Sequence, residues 1–347
     1  MGADALSEVL RAVRLSGAVF FRVELRAPWV AETPPAAICA PFVMPRAQHL
    51  MEFHILGSGT GFGGLTNAEP VALEAGDVLA FPQGDPHVLS SAPGLRQSPN
   101  MDLYRVAGSA RLPFSVTLGE TGPPVGALVC GFLGCDARPF NPLLDALPRM
   151  LHLRSRGTGD DGWFRHLVDA VVAESAQPHI GGECILARLS ELMFIELVRR
   201  HLWTAPAEET GWLAGLRDPH VGRALNLLHG QATAPWTLER LAREAGLSRS
   251  SLAERFTRLV GQPPMQYLAQ WRMQLAAGLL ADGDRPVGQV ALAVGYDSEA
   301  AFSRAFHKLV GVPPAAWRRA HARGPAATAG RASFPTPPAP AGDAAFA

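Results

Sequence analysis

Two segments in the C-terminal third of the chain repeat one pattern and decide how this region folds. The second copy reads Val287-Gly-Gln-Val-Ala-Leu-Ala-Val-Gly-Tyr-Asp-Ser-Glu-Ala-Ala-Phe-Ser-Arg-Ala-Phe-His-Lys-Leu-Val-Gly-Val-Pro-Pro314. The first copy reads Leu238-Glu-Arg-Leu-Ala-Arg-Glu-Ala-Gly-Leu-Ser-Arg-Ser-Ser-Leu-Ala-Glu-Arg-Phe-Thr-Arg-Leu-Val-Gly-Gln-Pro-Pro264. An alanine, a glycine, a serine and an apolar pair recur in the same order, with one residue inserted in the turn of the second copy. Such a repeat indicates one structural unit used twice.

The spacing within each copy predicts a helix, a tight turn and a second helix. Gly246 or Gly295 supplies the positive φ that follows the first helix, and Ser248 or Ser298 stands where the second helix needs an N-cap. In each second helix an apolar pair four residues apart faces the core, which turns the intervening residues outward. These pairs are Leu252 with Phe256, and Phe302 with Phe306.

The outward faces of the two second helices are the surfaces that a recognition helix presents to a major groove. The predicted base-facing residues are Ser250, Ser251, Ala253 and Glu254 in the first copy, and Glu299, Ala300, Ser303 and Arg304 in the second. Phosphate contacts position a protein without specifying sequence. They are predicted for Ser248, Arg249, Arg255, Arg258, Ser298 and Lys308, each of which could instead be a solvated surface group.

Among the predicted base-facing side chains, Arg304 and Glu254 are the two for which the sequence suggests a specific role. Arg304 is the candidate for direct readout, because one guanidinium can bind both acceptors of guanine. Glu254 places an acid close to a polyanion, and three explanations stay open. It could accept a hydrogen bond from a cytosine amino group, it could pair with a neighbour such as Arg258 on the same helix, or it could be a surface group with no role in binding.

The repeat resembles the AraC family of bacterial transcriptional regulators over about 110 residues. The resemblance implies two helix-turn-helix units that bind promoter DNA, often beside RNA polymerase, and an N-terminal domain that senses a ligand or dimerises. Glu254 departs from the family pattern, which often has a basic or neutral side chain there. The residues that carry the resemblance are Val290-Ala291, Val294-Gly295-Tyr296, Phe302-Ser303-Arg304-Ala305-Phe306, Gly311-Val-Pro-Pro and Trp317-Arg318.

Residues 18–135 consist of short β-type segments separated by Gly, Pro and Asn clusters, which predicts a small β-barrel or jelly roll. Within them, Gly76-Asp-Val-Leu-Ala-Phe-Pro-Gln-Gly-Asp-Pro-His87 resembles the second motif of the cupin barrels, which implies that His87 points into a barrel. The first cupin motif has His-x-His and a following acid. The chain has His49, Glu52 and His54 at a different spacing, so a complete metal-binding set is not expected.

Phe53-His54 and Leu128-Val-Cys-Gly131 extend the resemblance to a cupin-containing branch of the AraC family. In such a barrel His54, His87 and Cys130 could converge to bind zinc or react with an oxidant. They could instead be buried, hydrogen-bonded histidines and an inert core cysteine. A small-molecule effector in the barrel is a further alternative.

Two helices are expected after the β-rich part, at about Trp163–Ser175 and Glu183–Trp203. The second contains a stripe of apolar residues at helical spacing, which predicts either core packing or a dimer contact. The stripe consists of Leu186, Leu189, Met193 and Leu197.

The length of 347 residues and the change of pattern along the chain predict a multidomain α+β protein. The chain has no net charge, yet residues 213–323 hold 14 Lys and Arg against 8 Asp and Glu, so positive charge is concentrated in the repeat. The predicted parts are a cupin-like regulatory domain at 1–139, a helical connector that could dimerise at 140–203, a linker at 204–215, the tandem helix-turn-helix domain at 216–323 and a disordered tail at 324–347.

Two functions are weighed. The first is a DNA-binding transcriptional regulator, not an enzyme, whose partners are double-stranded promoter DNA, RNA polymerase and a second copy of the chain. The alternative is a cupin-type metalloenzyme with a helical appendage, which needs a complete set of metal ligands. The four cysteines lack zinc-finger or secreted-scaffold spacing, and neither a leader nor a membrane span is recognised, so a cytoplasmic location is expected.

Overall fold

The computed structural model describes residues 4–107, 112–154, 162–177, 179–204 and 210–321. The chain divides into two units, residues 1–275 and 276–347, and each is described by itself. The predicted disordered tail at 324–347 lies outside the described residues.

The described N-terminal residues form ten strands in two sheets. One sheet has the order β10-β6-β3-β9-β1-β8 and the other the order β2-β7-β4-β5. Neighbouring strands are antiparallel, except that β1 and β8 are parallel. The strands are β1 Ser16–Leu25, β2 Val30–Thr33, β3 His49–Ser58, β4 Thr60–Leu65, β5 Val71–Glu74, β6 Val78–Phe81, β7 His87–Ser90, β8 Phe114–Leu118, β9 Gly126–Cys135 and β10 Leu151–Leu153.

The six-stranded sheet buries both of its faces, because successive side chains of a strand point to opposite sides. Leu50 and Leu56 of β3 share a core with Phe81 and with Leu89 of the other sheet. Phe53, also in β3, belongs instead to the core that includes the connector helices. The predicted combination of a β-rich cupin domain with a helical C-terminal region is confirmed.

Two helices of the connector cover the outer face of the six-stranded sheet. The apolar stripe of α6 is core packing here, because Leu186, Met193 and Leu197 are buried and Leu189 packs against the same core. The helices up to this point are α1 Ala5–Ala12, α2 Ala36–Val43, α3 Met101–Ala107, α4 Pro142–Ala146, α5 Gly162–Ala176 and α6 Gly182–Thr204.

The predicted linker at 204–215 differs from the structure at both ends. Thr204 is the last residue of α6, and residues 205–209 lie outside the described residues. A further helix, α7, runs over Trp212–Arg217. The polar, Pro-containing stretch predicts a linker, whereas Trp212 and Leu213 are buried and therefore hold this short helix in the core.

The first hairpin of the repeat forms as predicted. The helices of this region are α8 Pro219–Gly230, α9 Leu238–Ala245, α10 Arg249–Val260 and α11 Pro264–Ala281, and the boundary between the two units falls within α11. Gly246 ends α9 with a φ of 76°, and the Ser248 hydroxyl caps α10 by accepting from the backbone N–H of Ser251 at 3.2 Å. Leu252 and Phe256 are fully buried.

The second hairpin, in the second unit, repeats this geometry. It consists of α12 Val287–Ala293 and α13 Glu299–Val310, followed by α14 Pro314–His321. Gly295 has a φ of 81°, and the Ser298 hydroxyl accepts from the backbone N–H of Ala301 at 3.2 Å. Phe302 and Phe306 are fully buried, so α13 is anchored by the same two positions as α10.

Within the first unit, the cupin domain is fastened to the first hairpin region by side chains that bond to backbone. The Asn226 side-chain oxygen in α8 accepts from the N–H of Ala5, the first residue of α1, at 2.9 Å. The Gln274 side-chain oxygen in α11 accepts from the N–H of Phe140 at 3.0 Å, and Gln274 is buried. The Phe140 ring meets the Tyr267 ring edge-on at 5.3 Å.

A buried histidine under the first hairpin predicts how stability depends on pH. Burial lowers the pKa of His229 to about 3, and its Nε2 is hydrogen-bonded to the Tyr267 hydroxyl at 2.7 Å. An unfolded histidine has a pKa of about 6.5, so the unfolded chain binds this proton first. The stabilisation is therefore complete above pH 6.5 and is lost as the pH falls toward 3, by about 5 kcal/mol in all.

We expect His229→Gln, which keeps an acceptor for Tyr267 but does not titrate, to lose stability less steeply than the unaltered chain between pH 6.5 and 3. Urea unfolding at several pH values measures both slopes. Equal slopes would show that His229 does not take up a proton on unfolding.

Candidate nucleic-acid interface and sensor cavity

The predicted face of α10 lies at the surface of the first unit. Ser250, Ser251 and Glu254 are exposed, and Ala253 is half-buried. The Ser248 hydroxyl contacts both neighbouring serines, at 3.2 Å from the Ser250 hydroxyl and 2.8 Å from that of Ser251. The N-terminal turn of α10 therefore presents a small cluster of hydroxyl groups, which can donate to phosphates or base edges.

The predicted face of α13 lies at the surface of the second unit. Glu299, Ala300 and Arg304 are exposed, and Ser303 is half-buried. Each recognition helix thus has apolar anchors on one side and solvent-accessible polar groups on the other. This is the arrangement that a helix needs in order to enter a major groove.

The predicted phosphate-binding side chains differ in how strongly other side chains of the same chain hold them. Arg258 and Lys308 are exposed, and the exposed Arg249 lies 3.1 Å from the Glu239 carboxylate, which is a weak surface pair. Arg255 is held more firmly. It donates from Nε to the Asp218 carboxylate at 2.7 Å, and a terminal nitrogen lies 2.6 Å from the same oxygen.

Of the three explanations for Glu254, the pair with Arg258 is not supported. Glu254 and Arg258 are both exposed, and among the described residues no ion pair joins them. Glu254 therefore stays available to an external partner, and its readout of cytosine remains a prediction.

A separate cavity of about 70 Å³ opens in the N-terminal domain, between β1, β3 and β9 on one side and α3 on another. Of the residues that the structure describes, those in its lining are mostly apolar and include no lysine or arginine. The polar groups in the lining include Thr33, Glu52, His54, Tyr104 and Cys130, and the apolar groups include Phe21, Val23, Leu89, Leu118, Leu128 and Phe132.

Three buried side chains form a cluster beside this cavity. One ligand atom from each of Glu52, His54 and His87 lies within 4.8 Å of the others. The two Nε2 atoms of the histidines are 2.6 Å apart, and a Glu52 carboxylate oxygen is 3.8 Å from His87 Nε2. His87 Nδ1 donates to the Asp85 carbonyl at 2.8 Å, which leaves a lone pair on the neutral ring's Nε2 and directs it at the cluster.

The cluster contains polar atoms with no protein partner. Glu52 Oε1 and His54 Nδ1 are buried and make no hydrogen bond. Burial raises the pKa of Glu52 well above its usual value, and it lowers the pKa of His54 well below and that of His87 to about 4. Two imidazoles and a carboxylate are a donor set that suits zinc, and a divalent cation would favour the ionised form of Glu52. The residues therefore fit a metal ion.

Two family models cover most of the chain. A model described as a cupin matches residues 4–203, and one described as a helix-turn-helix domain matches residues 241–320. The chain belongs to the cupin family and carries an AraC-type helix-turn-helix domain. The first model accounts for the sheets, the cavity and the connector helices. The second accounts for most of both hairpins.

Named relatives of this cupin are transcriptional regulators. A "Putative AraC-like transcription regulator" of Streptomyces lividans is 38% identical over 192 residues, which cover 55% of this chain and 63% of that protein. The regulator AlkR of Acinetobacter baylyi is 29% identical over 320 residues, which cover 91% of this chain and 99% of that protein. Against the first two relatives the chain spans less than two thirds of their length, at 63% and 58%.

Among solved structures, ToxT of Vibrio cholerae matches 90% of this chain and 98% of that chain at 10% identity, with a TM-score of 0.33.

In the part of this chain that the structure describes, none of the helices has the length and apolar character that crossing a membrane requires.

The cluster in the structure differs in one residue from the predicted group of His54, His87 and Cys130. His54 and His87 come together as expected, but the third member of the cluster is Glu52, not Cys130. Cys130 lies opposite His54 in the strand register and lines the cavity. Burial raises the pKa of its thiol, which disfavours the reactive thiolate. Glu52 thus joins the two histidines as a third potential ligand, and whether the set binds a metal stays a prediction.

Glu52 could have been found from its position. It precedes His54 by two residues on a strand, so both side chains project from the same face of the sheet. The pairing of Glu52 with His87 had no such signal, because His87 comes from β7 in the other sheet.

Proposed function

We propose that the chain is a transcriptional regulator that binds double-stranded promoter DNA through both hairpins, in adjacent segments of the major groove. The observation that carries the proposal is the duplicated geometry, in which a glycine turn and a serine cap start a helix with buried apolar anchors and an exposed polar face. A single such hairpin would be weak support, because helix-turn-helix hairpins also occur in proteins that do not bind DNA. The names of the relatives support the same class of function.

We assign roles to individual side chains from their exposure and from the ion pairs that they make within the chain. Ser250, Ser251, Ala253 and Glu254 in α10, with Glu299, Ala300, Ser303 and Arg304 in α13, are assigned to base edges. Ser248, Arg249, Arg258, Ser298 and Lys308 are assigned to phosphates. Arg255 is assigned differently, because its pair with Asp218 ties α10 to the N-cap of α8. It positions the recognition helix, and a phosphate would have to compete with Asp218.

The direct test is a mobility-shift titration of the full chain on the upstream region of its own gene, at several salt concentrations. Each phosphate contact releases counterions, so log affinity should fall linearly with log salt, with a slope of about −0.9 per contact. A random duplex of equal length is the control. Binding that does not distinguish the two duplexes, or does not depend on salt, would contradict the proposal.

We expect Arg304→Ala to relax specificity at one base pair and to weaken binding to the preferred site by about 1 to 3 kcal/mol. The matched control is Lys308→Ala on the same helix. Loss of this lysine should weaken binding to all sequences alike and reduce the salt slope by about one contact. Binding measured on a set of single-base site variants separates the two results. If Arg304→Ala also weakens every site equally, Arg304 contacts the backbone.

We propose that the cupin domain controls this binding. The cluster of Glu52, His54 and His87 is proposed to hold zinc, and the cavity beside it an effector. Because none of the described residues that line the cavity is a lysine or arginine and most of them are apolar, the effector is proposed to be a small, uncharged, mainly apolar molecule. The contacts of Asn226 and Gln274 with the cupin domain support the proposal that effector binding is transmitted to the DNA-binding region, since these contacts attach the first hairpin region to the cupin domain.

RNA polymerase, a second copy of the chain and a cytoplasmic location complete the proposal. The alternative function, a cupin metalloenzyme, is favoured only by the three-residue cluster. It leaves the exposed faces of two recognition helices without a role. Sequence-specific binding of the full chain to its promoter is the result that the regulator predicts and the enzyme does not.

A further inference from the structure

The loop between β6 and β7, residues 82–86, contacts the buried histidine cluster at one end and α4 at the other. The Nδ1–H of His87 donates to a backbone carbonyl of this loop at 2.8 Å, so the loop orients one of the proposed zinc ligands. Earlier in the loop, the side-chain amide of Gln83 donates to the carbonyls of Leu144 and Leu147, at 2.8 and 3.0 Å. One short loop therefore holds both a proposed ligand and the C-terminal end of α4.

The 82–86 loop has little conformational freedom. It contains two prolines, each of which fixes its own φ. The Gly84 carbonyl accepts from the N–H of Ala36 at 2.9 Å, and Gly84 has a φ of 68°. A Cβ at this position would lie 2.8 Å from the carbonyl oxygen of Leu50, so the loop backbone is packed closely against β3. A loop this constrained moves as one piece, so a displacement at the cluster also displaces Gln83.

The short helix α4 depends on bonds at both of its ends, because it has only five residues. Isolated helices shorter than about 12 residues are not stable in water, and the last carbonyls of a helix have no partner within it. At the N-terminal end, the Asn141 side chain accepts from the N–H of Leu144 at 3.0 Å. At the C-terminal end, Gln83 supplies the donors for two carbonyls. The placement of α4 therefore depends on the position of Gln83.

The N-terminal end of α4 adjoins the contacts that hold the first hairpin. The N–H of Phe140, just before the N-cap of α4, donates to the Gln274 side chain at 3.0 Å, and its ring lies 5.3 Å from that of Tyr267. The Tyr267 ring in turn lies 5.7 Å from that of Phe256, a buried anchor of α10. Leu143 of α4 belongs to the same core as these two rings. A continuous set of contacts thus runs from the cluster to a recognition helix.

We propose that the 82–86 loop couples metal occupancy of the cluster to the first hairpin, with Gln83 as the positioning residue that acts on α4. The inference rests on the proposed zinc site and deepens it by naming how the site regulates DNA binding. A His87 ring that is held at Nε2 also holds the loop, because its Nδ1 is bonded to the loop. The donors of Gln83 then stay on the α4 carbonyls, and the contacts of Phe140 with α11 are kept.

The test measures the zinc affinity of the full chain by competition with a chromophoric chelator, with and without a saturating promoter duplex. We expect the duplex to change the zinc affinity of the unaltered chain by about 5- to 150-fold, since coupled sites act on each other by equal factors. Gln83→Leu nearly keeps the length of the side chain and removes both hydrogen bonds. It should reduce this factor by at least about fivefold, or to one where the factor is smaller, because each lost bond is worth about two- to tenfold.

Gln97→Leu is the matched control for Gln83→Leu. Gln97 is exposed, as Gln83 is, and its backbone N–H donates to Glu32 of β2 at 3.3 Å, so it lies beside β2 and outside the 82–86 loop. The promoter duplex should change the zinc affinity of this variant by the same factor as in the unaltered chain.

Hydrogen exchange gives an independent measurement that needs no DNA. The backbone N–H groups of Leu144 and Leu147 are hydrogen-bonded within α4 and its cap, so they exchange when α4 opens. Zinc alone should slow the exchange of residues 144–147 by about fivefold or more in the unaltered chain. The same addition should have little effect in Gln83→Leu.

The outcomes separate this inference from the proposed function. If zinc and the promoter each bind the unaltered chain but leave each other's affinity unchanged, the coupling is wrong and both sites stand. An equal factor in Gln83→Leu and the unaltered chain overturns the role of Gln83. Exchange in α4 that zinc does not alter overturns the step from the loop to α4, whether or not the promoter binds. A chain that binds no zinc overturns the zinc site, and this inference with it.

Discussion

Replacing Phe306 with alanine is expected to lower the free energy of unfolding of the second unit by about 3 to 5 kcal/mol. Phe306 is fully buried, and its ring lies 5.5 Å from that of Phe302 and 6.2 Å from that of Trp317. The substitution removes the aromatic ring and leaves a cavity that these two neighbours cannot fill without moving. Because domains are stable by only about 5 to 15 kcal/mol, this loss removes a large part of the stability that holds α13 in place.

Hydrogen exchange over residues 287–321 measures the loss directly, and mobility shift measures its effect on promoter binding. The matched control is Leu309→Ala on the same helix. Leu309 is 39% exposed, so its removal should change stability by no more than about 0.5 kcal/mol. Unchanged exchange in Phe306→Ala, or promoter binding that survives a melted α13, would show that the second hairpin does not depend on this anchor for its function.

His87→Ala is expected to weaken zinc binding by more than about 100-fold. Loss of a residue that only supports a ligand costs about 10- to 100-fold, and His87 is proposed as a ligand itself. Its ring is held between the Asp85 carbonyl and a stacked Phe81 ring at 3.7 Å, and its Nε2 faces the Nε2 of His54 at 2.6 Å, so it points into the cluster. Competition against a chromophoric chelator measures the affinity without reference to DNA binding.

Two further variants make the zinc prediction specific. His49→Ala removes a histidine from the same strand as His54, but His49 bonds to the Pro82 carbonyl at 2.7 Å and lies outside the cluster, so zinc affinity should not change. Glu52→Gln keeps the shape of the side chain and removes the anionic ligand, so it should weaken zinc binding even where His87→Ala is poorly folded. Equal losses in His49→Ala, or no zinc binding by the unaltered chain, would rule out the site.

The hairpins could be predicted from sequence because the signals that specify them are local. A positive φ at Gly246, a capping hydroxyl at Ser248 and an apolar pair four residues apart each act within one or two helical turns. The same holds for the second copy. The turn and cap positions therefore matched the structure residue by residue.

The sensor cluster could be predicted only in part, because it depends on how distant strands pair. The resemblance to cupins and to the cupin-containing AraC branch indicates His87 and His54, whereas the spacing of Glu52 along the chain does not match the first cupin motif. Its place beside His87 follows from the packing of two sheets. The ion pair of Arg255 could not be predicted for the same reason, since its partner Asp218 lies 37 residues earlier in the chain. Non-local contacts of this kind leave no periodicity in the sequence.

The bonds that join α1 and Phe140 to Asn226 and Gln274 have a consequence for the energetics of signalling. If these bonds make the barrel and the first hairpin open together, whatever stabilises one stabilises the other. Coupling of this kind is reciprocal, so a promoter that favours one state of the hairpin must raise the affinity of the barrel for its effector by the same factor that the effector raises affinity for the promoter. The bound operator would then act as a ligand of the sensor.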